Sequence, residues 1–276
     1  MRHFELLATD LDGTLFGRDL VIRPRTRAAL TRWVASGRRL VIATGRMYRS
    51  AAETARALDL DTPIICYQGA LVRCPRSGND LVHHPLPPDP TLAVLAQLEA
   101  EGFTVLGFRD DALHARREDA ATRAYTSLSR VTPVPVRAWG ELFGDGSPTK
   151  IVAVAEPARV RATVPKLRRE LAGTLHVVQS LPAFLEIVHP QANKGAALTL
   201  LCKHLGVPLE ATVGVGDGHN DLELVSSAGL GVAMQDGHPE LVARADHVTG
   251  PLRDEGLADL VEWLLSEASE GAWPPR

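Results

Sequence analysis

Phe4-Glu5-Leu6-Leu7-Ala8-Thr9-Asp10-Leu11-Asp12-Gly13-Thr14-Leu15 is a short apolar run that breaks directly into two aspartates, a glycine and a threonine. A run of this length and composition reads as a buried strand. In extended chain, residues i and i+2 point the same way, so Asp10 and Asp12 are expected to present two carboxylates to one spot. Gly13 lets the chain turn sharply and exposes backbone N–H groups. Ligands of open α/β sheets bind beyond the C-terminal ends of strands, which is where this pair falls. An acidic turn with a capping Asp is the plainer use of such residues. The strand context favours a site.

Outward from this stretch, apolar runs alternate with helical periodicities, the pattern of an α/β fold with a buried parallel sheet. Leu30, Trp33 and Val34 sit at helical spacing between Pro24 and Gly37, then Leu40 to Ala43 and Pro63 to Tyr67 read as strands. Late in the chain a helix is expected from about Lys194 to Leu205, a strand at Thr212 to Val215, and a closing helix through Leu257, Leu260, Val261 and Leu264. The middle differs. Pro85, Pro87, Pro88 and Pro90 cluster, which no central strand or helix tolerates. After them a helix–Gly–strand unit occurs twice, around Gly102 and around Gly173, with further strands at Leu175 to Gln179 and Phe184 to Val188. This segment, 84–187, is expected to be an inserted α+β domain.

Composition narrows the function. The 276 residues carry 30 basic and 33 acidic side chains, a net −3, so no basic surface for nucleic acid is evident. No stretch approaches the roughly 18 apolar residues of a membrane span. Cys66, Cys74 and Cys202 are an odd number without a CxxC, and no signal peptide is visible, so idle thiols in a reducing cytoplasm are expected. Only Lys150, Lys166, Lys194 and Lys203 are lysines among the 30 basic residues.

Three further segments carry chemistry. Thr44-Gly45-Arg46 ends the second strand, and a hydroxyl followed by free N–H groups suits a phosphate oxygen; a helix-capping Thr is the competing use. Lys194 opens a helix; a solvated surface lysine is the plainer use, and a lysine in a chain that prefers arginine is mildly informative. Gly214-Val215-Gly216-Asp217-Gly218-His219-Asn220-Asp221 follows a strand and superficially suggests a dinucleotide loop. Asp217, however, would put a carboxylate where a pyrophosphate must sit. An acidic cluster beside glycines instead suits a hard cation such as Mg²⁺. His219 is expected to be a turn residue pointing outward.

Taken in order, Asp10–Leu15, Thr44–Arg46, Lys194 and Gly216–Asp221 resemble the four motifs of the haloacid dehalogenase (HAD) superfamily of phosphotransferases, in its Cof-like branch. Between Asp10 and Thr44 there is room for one helix and a turn; between Thr44 and Lys194 there is room for a whole domain. The resemblance implies a Rossmann-like parallel-sheet core, 1–83 plus 188–276, with an α+β cap at 84–187. It implies Asp10 as nucleophile and Asp12 as general acid/base, with Thr44, Gly45, Arg46, Lys194 and Asn220 toward phosphate. Asp10, Asp12 through its carbonyl, Asp217 and Asp221 would hold Mg²⁺. The function so implied is a Mg²⁺-dependent phosphatase of small phosphomonoesters, sugar phosphates or related metabolites, acting through an aspartyl-phosphate. A phosphomutase would share that intermediate. A non-catalytic phospholigand sensor would be expected to lack one of Asp10, Asp12, Lys194 or Asp217, and none is replaced. Three loops depart from the family pattern and are expected to line the mouth of the site: Tyr67-Gln68-Gly69-Ala70, Gln235-Asp236-Gly237 and Gly250-Pro251-Leu252.

Overall fold

The apolar run at the start of the chain is the inner strand of a parallel sheet. The computed structural model describes residues 3–144 and 146–266; residues 1–2 and 267–276 of the expected core segments lie outside the described residues. The chain first forms β1 (Leu6–Thr9), α1 (Pro24–Ala35), β2 (Arg39–Ile42), α2 (Tyr48–Ala57), β3 (Ile64–Cys66), β4 (Leu71–Arg73) and β5 (Asp80–His83). Next come α3 (Pro88–Ala100), β6 (Thr104–Arg109), β7 (Ala112–Ala115), α4 (Ala120–Ser129), β8 (Val134–Pro135), β9 (Lys150–Val154), α5 (Pro157–Glu170), β10 (His176–Leu181) and β11 (Phe184–Val188). The return runs through α6 (Lys194–Leu205), β12 (Thr212–Gly216), α7 (Leu222–Ser227), β13 (Leu230–Met234), α8 (Pro239–Arg244), β14 (His247–Thr249) and α9 (Gly256–Leu265).

Five strands make the first sheet in the order β14-β13-β12-β1-β2, all parallel. Successive residues of β1 serve two cores. Leu7 packs with Leu30, Trp33, Leu257 and Leu260 on one face, while Leu6 and Ala8 join Leu198, Leu201 and Leu224 on the other. Both faces are covered, so the strand reads as unbroken apolar sequence rather than as alternation. The chain leaves β1 toward β2 and later returns to β12 on the other side. Such a reversal opens a crevice beyond the strand ends. Asp10 follows β1 and Asp217 follows β12, so both fall in it.

A second sheet runs β10-β11-β9-β6-β7-β8, antiparallel except between β7 and β8. Helices α3 and α5 cover one face, where Leu95, Leu98, Val160 and Leu167 pack on Val105, Ile151 and Ile187. The opposite face presents Phe108, Val152 and Phe184 to the core that also holds Tyr67 and Met47. Helix α5 continues through Pro165, which lies on its exposed side, so the carbonyl that loses its partner can turn to water. The central strand β9 and helix α4 carry no expectation from the sequence pattern. The third strand differs from its expected place in the parallel sheet. β3 touches that sheet only through a bridge between Ala43 and Ile65, and otherwise pairs antiparallel with β4. Tyr67, Gln68 and Gly69 all adopt positive φ and turn the chain back there. No described helix is long and apolar enough to cross a membrane.

β3, β4 and β5 form a third, three-stranded sheet; residues 84–87 and 189–193 join the second sheet and its helices to the rest of the chain, and the two crossings touch. His84 and His189 stack there with ring centroids 5.2 Å apart and an interplanar angle of 16°. Burial lowers the pKa of both below the ordinary 6.5, and the facing His189 lowers His84 further. The folded state therefore binds fewer protons than the unfolded one just below that value. The contribution of the pair is complete above about pH 6.5 and is lost as pH falls through the lowered folded values. Replacing His84 by Gln should shrink the drop in Tm between about pH 7.5 and about pH 5.5 relative to the parent chain. An identical drop in the two proteins would place the pH dependence elsewhere.

Candidate active site

Asp10 lies one residue beyond β1, and its N–H donates to the Val215 carbonyl at 3.0 Å, which holds its backbone beside β12. Its carboxylate is buried, and Oδ1 accepts from Lys194 Nζ at 2.7 Å. The same ammonium donates to Asp221 Oδ1 at 2.6 Å. Lys194 is the first residue of α6, where the helix dipole disfavours a cation. The two carboxylates account for its position; the helix does not. Asp221 Oδ2 accepts from the N–H groups of Asp217 at 3.1 Å and Gly218 at 2.9 Å, so the loop after β12 is closed on the same group. Thr14 Oγ1 donates to Asp217 Oδ1 at 3.2 Å.

Asp10, Asp217 and Asp221 each bring an oxygen to within 4.8 Å of the others. Three carboxylates against one ammonium leave a surplus of negative charge out of water. Burial raises the Asp10 carboxyl well above the ordinary carboxylate range, and Lys194 offsets only part of that. Burial, and then Asp221, push Asp217 up to about 7. Burial alone would lower Lys194, but Asp10 and Asp221 together hold it above its ordinary value. An all-oxygen donor set lacking positive charge fits a hard divalent cation such as Mg²⁺. Asp217 Oδ2 makes no hydrogen bond among the described residues and is free to reach one, and Asp10 Oδ1, which accepts from Lys194, keeps a second lone pair for it. Both oxygens of Asp221 already accept hydrogen bonds, which makes it a brace for Lys194 and the loop.

Asp12 is not in that cluster. Its carboxylate receives Arg46 in a two-pronged contact, Nε to Oδ2 and Nη2 to Oδ1, both at 2.6 Å. Asp10 and Asp12 nonetheless line one chamber, with Asp12 standing outside the trio of acids. Strand β1 ends at Thr9, and the bridge of Asp12 to Phe16, with Gly13 N–H donating to the Phe16 carbonyl at 2.9 Å, bends the chain before the alternation reaches Asp12. Arg46, expected toward phosphate, is engaged by Asp12. Thr44 is buried, with its N–H donating to the Ile65 carbonyl at 2.8 Å and its Oγ1 accepting from Arg46 N–H at 3.1 Å. That leaves the hydroxyl proton of Thr44 for the cavity it lines. Asn220 Nδ2 donates to Gln68 Oε1 at 3.1 Å.

Asp10 and Asp12 line a chamber of about 160 Å³ roofed by residues of the second sheet and of α4. Lys150 and Glu186 there were not anticipated as site residues, and Gln68 was expected only as part of a loop at the mouth. Gln68, held in the left-handed region (φ 60°), spans the two parts of the molecule: its Oε1 serves Asn220 and its Nε2 donates to Glu186 Oε2 at 3.2 Å. Lys150 Nζ donates to Glu186 Oε2 at 3.1 Å and to the Gly45 carbonyl at 2.7 Å. Both charged groups are buried. The signals were present, since Lys150 is one of four lysines and Glu186 is a lone acid inside the apolar run Phe184–Val188. Of the three departing loops only Gln68 lines the chamber, and it lies inside rather than at the mouth. The other two meet each other, Leu252 N–H donating to Asp236 Oδ1 at 3.3 Å. His219 is partly buried rather than simply outward, lining a second cavity of about 220 Å³ with Arg168, His176 and Glu223.

Residues 7–261 match the sequence pattern of the haloacid dehalogenase-like hydrolases, and the chain belongs to that family. The HMP-PP phosphatase of Escherichia coli O6:H1 is 31% identical over 269 residues, spanning 94% of this chain and 95% of that protein. The 5-amino-6-(5-phospho-D-ribitylamino)uracil phosphatase YitU of Bacillus subtilis is 28% identical over 274 residues, 95% of this chain and 97% of that one. Among solved structures, a haloacid dehalogenase-like hydrolase from B. subtilis superposes with a TM-score of 0.85 at 26% identity, covering 95% of this chain and all (100%) of the other.

Gly13 holds the site's tightest approach. Its φ is +88°, and a Cβ there would lie 2.2 Å from Asp217 Oδ2. Gly13→Ala should cost about 1–2 kcal/mol from the left-handed conformation alone and displace the Asp217 carboxylate. Thermal denaturation and Mg²⁺ titration calorimetry should both weaken. Unchanged values in both would show that the turn accommodates a side chain.

Proposed function

We propose that this chain is a Mg²⁺-dependent phosphatase that removes phosphate from small phosphomonoesters through an aspartyl-phosphate on Asp10. The observation that carries the reading is the Asp10 carboxylate, buried at the chamber floor with Oδ1 held by Lys194 at 2.7 Å and Oδ2 unoccupied by any described residue. The phosphatase names of the relatives support hydrolysis of a phosphate ester. In this reading residues 84–187 form a cap and residues 1–83 with 188–276 form the catalytic core. The free thiols suit a reducing, cytoplasmic setting.

Each residue then has a task. Asp10 Oδ2 attacks phosphorus as the bond to the leaving oxygen breaks, giving an acyl phosphate on Asp10. An arriving phosphate competes with Asp12 for the Arg46 guanidinium; Asp12, once released, takes up a proton from solvent and passes it to the leaving oxygen. Asp12 later takes a proton from the water that cleaves the acyl phosphate and restores Asp10. Thr44 donates its hydroxyl to a phosphate oxygen, and Lys194 keeps Asp10 in place while offsetting the charge brought in. Mg²⁺ held by Asp10, Asp217 and the Asp12 carbonyl would supply the positive charge that a phosphate dianion needs among these carboxylates.

Phosphate release from an aryl phosphate should require Mg²⁺ and stop with excess chelator; full activity in chelator would contradict the metal assignment. Asp10→Asn should abolish turnover while keeping the melting transition, because an amide is a poor nucleophile. Asp12→Ala should slow turnover by roughly 10² or more. The loss should be larger for an alkyl ester, whose leaving oxygen needs the proton, than for an aryl ester. Equal losses on the two would assign Asp12 a purely structural part.

A further inference from the structure

The turn after β2 is held by three successive carbonyls, and one of them is gripped from the second sheet. The Thr44 carbonyl accepts from Gln68 N–H at 3.2 Å and the Arg46 carbonyl from Tyr67 N–H at 3.0 Å, both donors lying in the turn after β3. The middle carbonyl, that of Gly45, accepts instead from Lys150 Nζ at 2.7 Å, which reaches across from β9. That ammonium is buried and also donates to Glu186 Oε2 at 3.1 Å. It stands 5.0 Å from the centroid of the Phe108 ring and 5.8 Å from that of Tyr67. The Gly45 carbonyl shares one planar peptide unit with the Arg46 N–H, and that N–H donates to Thr44 Oγ1 at 3.1 Å.

A single chain of hydrogen bonds thus runs from the Lys150 ammonium through the Gly45–Arg46 peptide to the Thr44 hydroxyl. A cation on the carbonyl polarises the peptide and makes its N–H the stronger donor. An oxygen that accepts a stronger bond in turn donates its own proton more strongly. The same contact fixes orientation. Gly45 has no Cβ to restrict it, so the peptide after it can rotate. Turned over, that peptide would aim a carbonyl where the Arg46 N–H stands and leave Thr44 Oγ1 unsupported. Resting on the phosphatase reading, in which Thr44 donates to a phosphate oxygen, we propose that Lys150 is a positioning residue for phosphate. Seated on the Gly45 carbonyl, it strengthens the hold of the Thr44 hydroxyl on a phosphate oxygen without touching that oxygen. Phosphate is then bound more tightly when residues 84–187 rest on the core, and by linkage bound phosphate tightens the Lys150 contact in return.

The test is a double-mutant cycle on the dissociation constant of inorganic phosphate, read by titration calorimetry with Mg²⁺ present. Lys150→Met should weaken phosphate by about fivefold or more, the size of coupling within one hydrogen-bond network. In a Thr44→Val background, where the chain has lost its last member, the same replacement should change it by less than about twofold. Lys150→Met strips Glu186 of its buried cation and could fail to fold, so Lys150→Met paired with Glu186→Gln is carried through the same cycle. A further measurement uses the unaltered protein. Phosphate added with Mg²⁺ should move the Arg46 amide proton downfield in the NMR spectrum, as its bond to Thr44 Oγ1 strengthens. Equal losses in the two Thr44 backgrounds, which a purely structural fastening would give, or a stationary Arg46 amide proton, overturn the role of Lys150. So does a loss confined to KM for esters with phosphate affinity intact, which would place Lys150 against the leaving group. Failure of the unaltered protein to release phosphate from an aryl ester, with Mg²⁺ present, overturns the phosphatase reading itself.

Discussion

Lys194 enclosed between Asp10 and Asp221 is the contact on which the rest of the site depends. An ammonium and two carboxylates out of water are tolerable only as a set, because removing one partner of a buried pair leaves an uncompensated charge and costs about 3–5 kcal/mol. The set draws on three separate stretches of chain: the end of β1, the start of α6 and the turn after β12. Their meeting requires β1 and β12 to be neighbours, which is what the sheet order provides. The parallel sheet is thus the means of bringing three acids and one base into a volume that none could occupy singly.

The same economy governs the surroundings. Asp221 uses one oxygen for Lys194 and the other for two backbone N–H groups, so the loop carrying Asp217 is held by the residue that neutralises the lysine. Asp12 and Arg46 neutralise each other at the chamber wall. What is left uncompensated is concentrated on Asp10 and Asp217, where a raised pKa records the missing charge.

Much of this was legible in the residues. The strand before Asp10, the helix beginning at Lys194 and the glycine-rich turn at Asp217 are local patterns, and local patterns survive folding. Asp12 stands apart from the trio of acids because its direction depends on where β1 stops pairing, a property of the partner strand rather than of the sequence around it. Lys150 and Glu186 were missed, and Gln68 was read only as part of a loop at the mouth, for a related reason. Each is unremarkable within its own segment, and their meaning arises only when β9, β11 and the turn after β3 meet over Gly45. Strand β9 is a run of five residues between Gly146-Ser147-Pro148 and Pro157, so its punctuation was there to be read.

The link from Lys150 to the Gly45 carbonyl crosses between the two sheets while shielded from solvent. Mobile ions screen charges that face water and reach enclosed ones poorly. Surface pairs such as Arg32 with Glu262 should therefore fade as ionic strength rises, whereas the fastening over the chamber should not. Salt concentration would tune the outer surface of the molecule and leave the contact of Lys150 with the Gly45 carbonyl nearly unaltered.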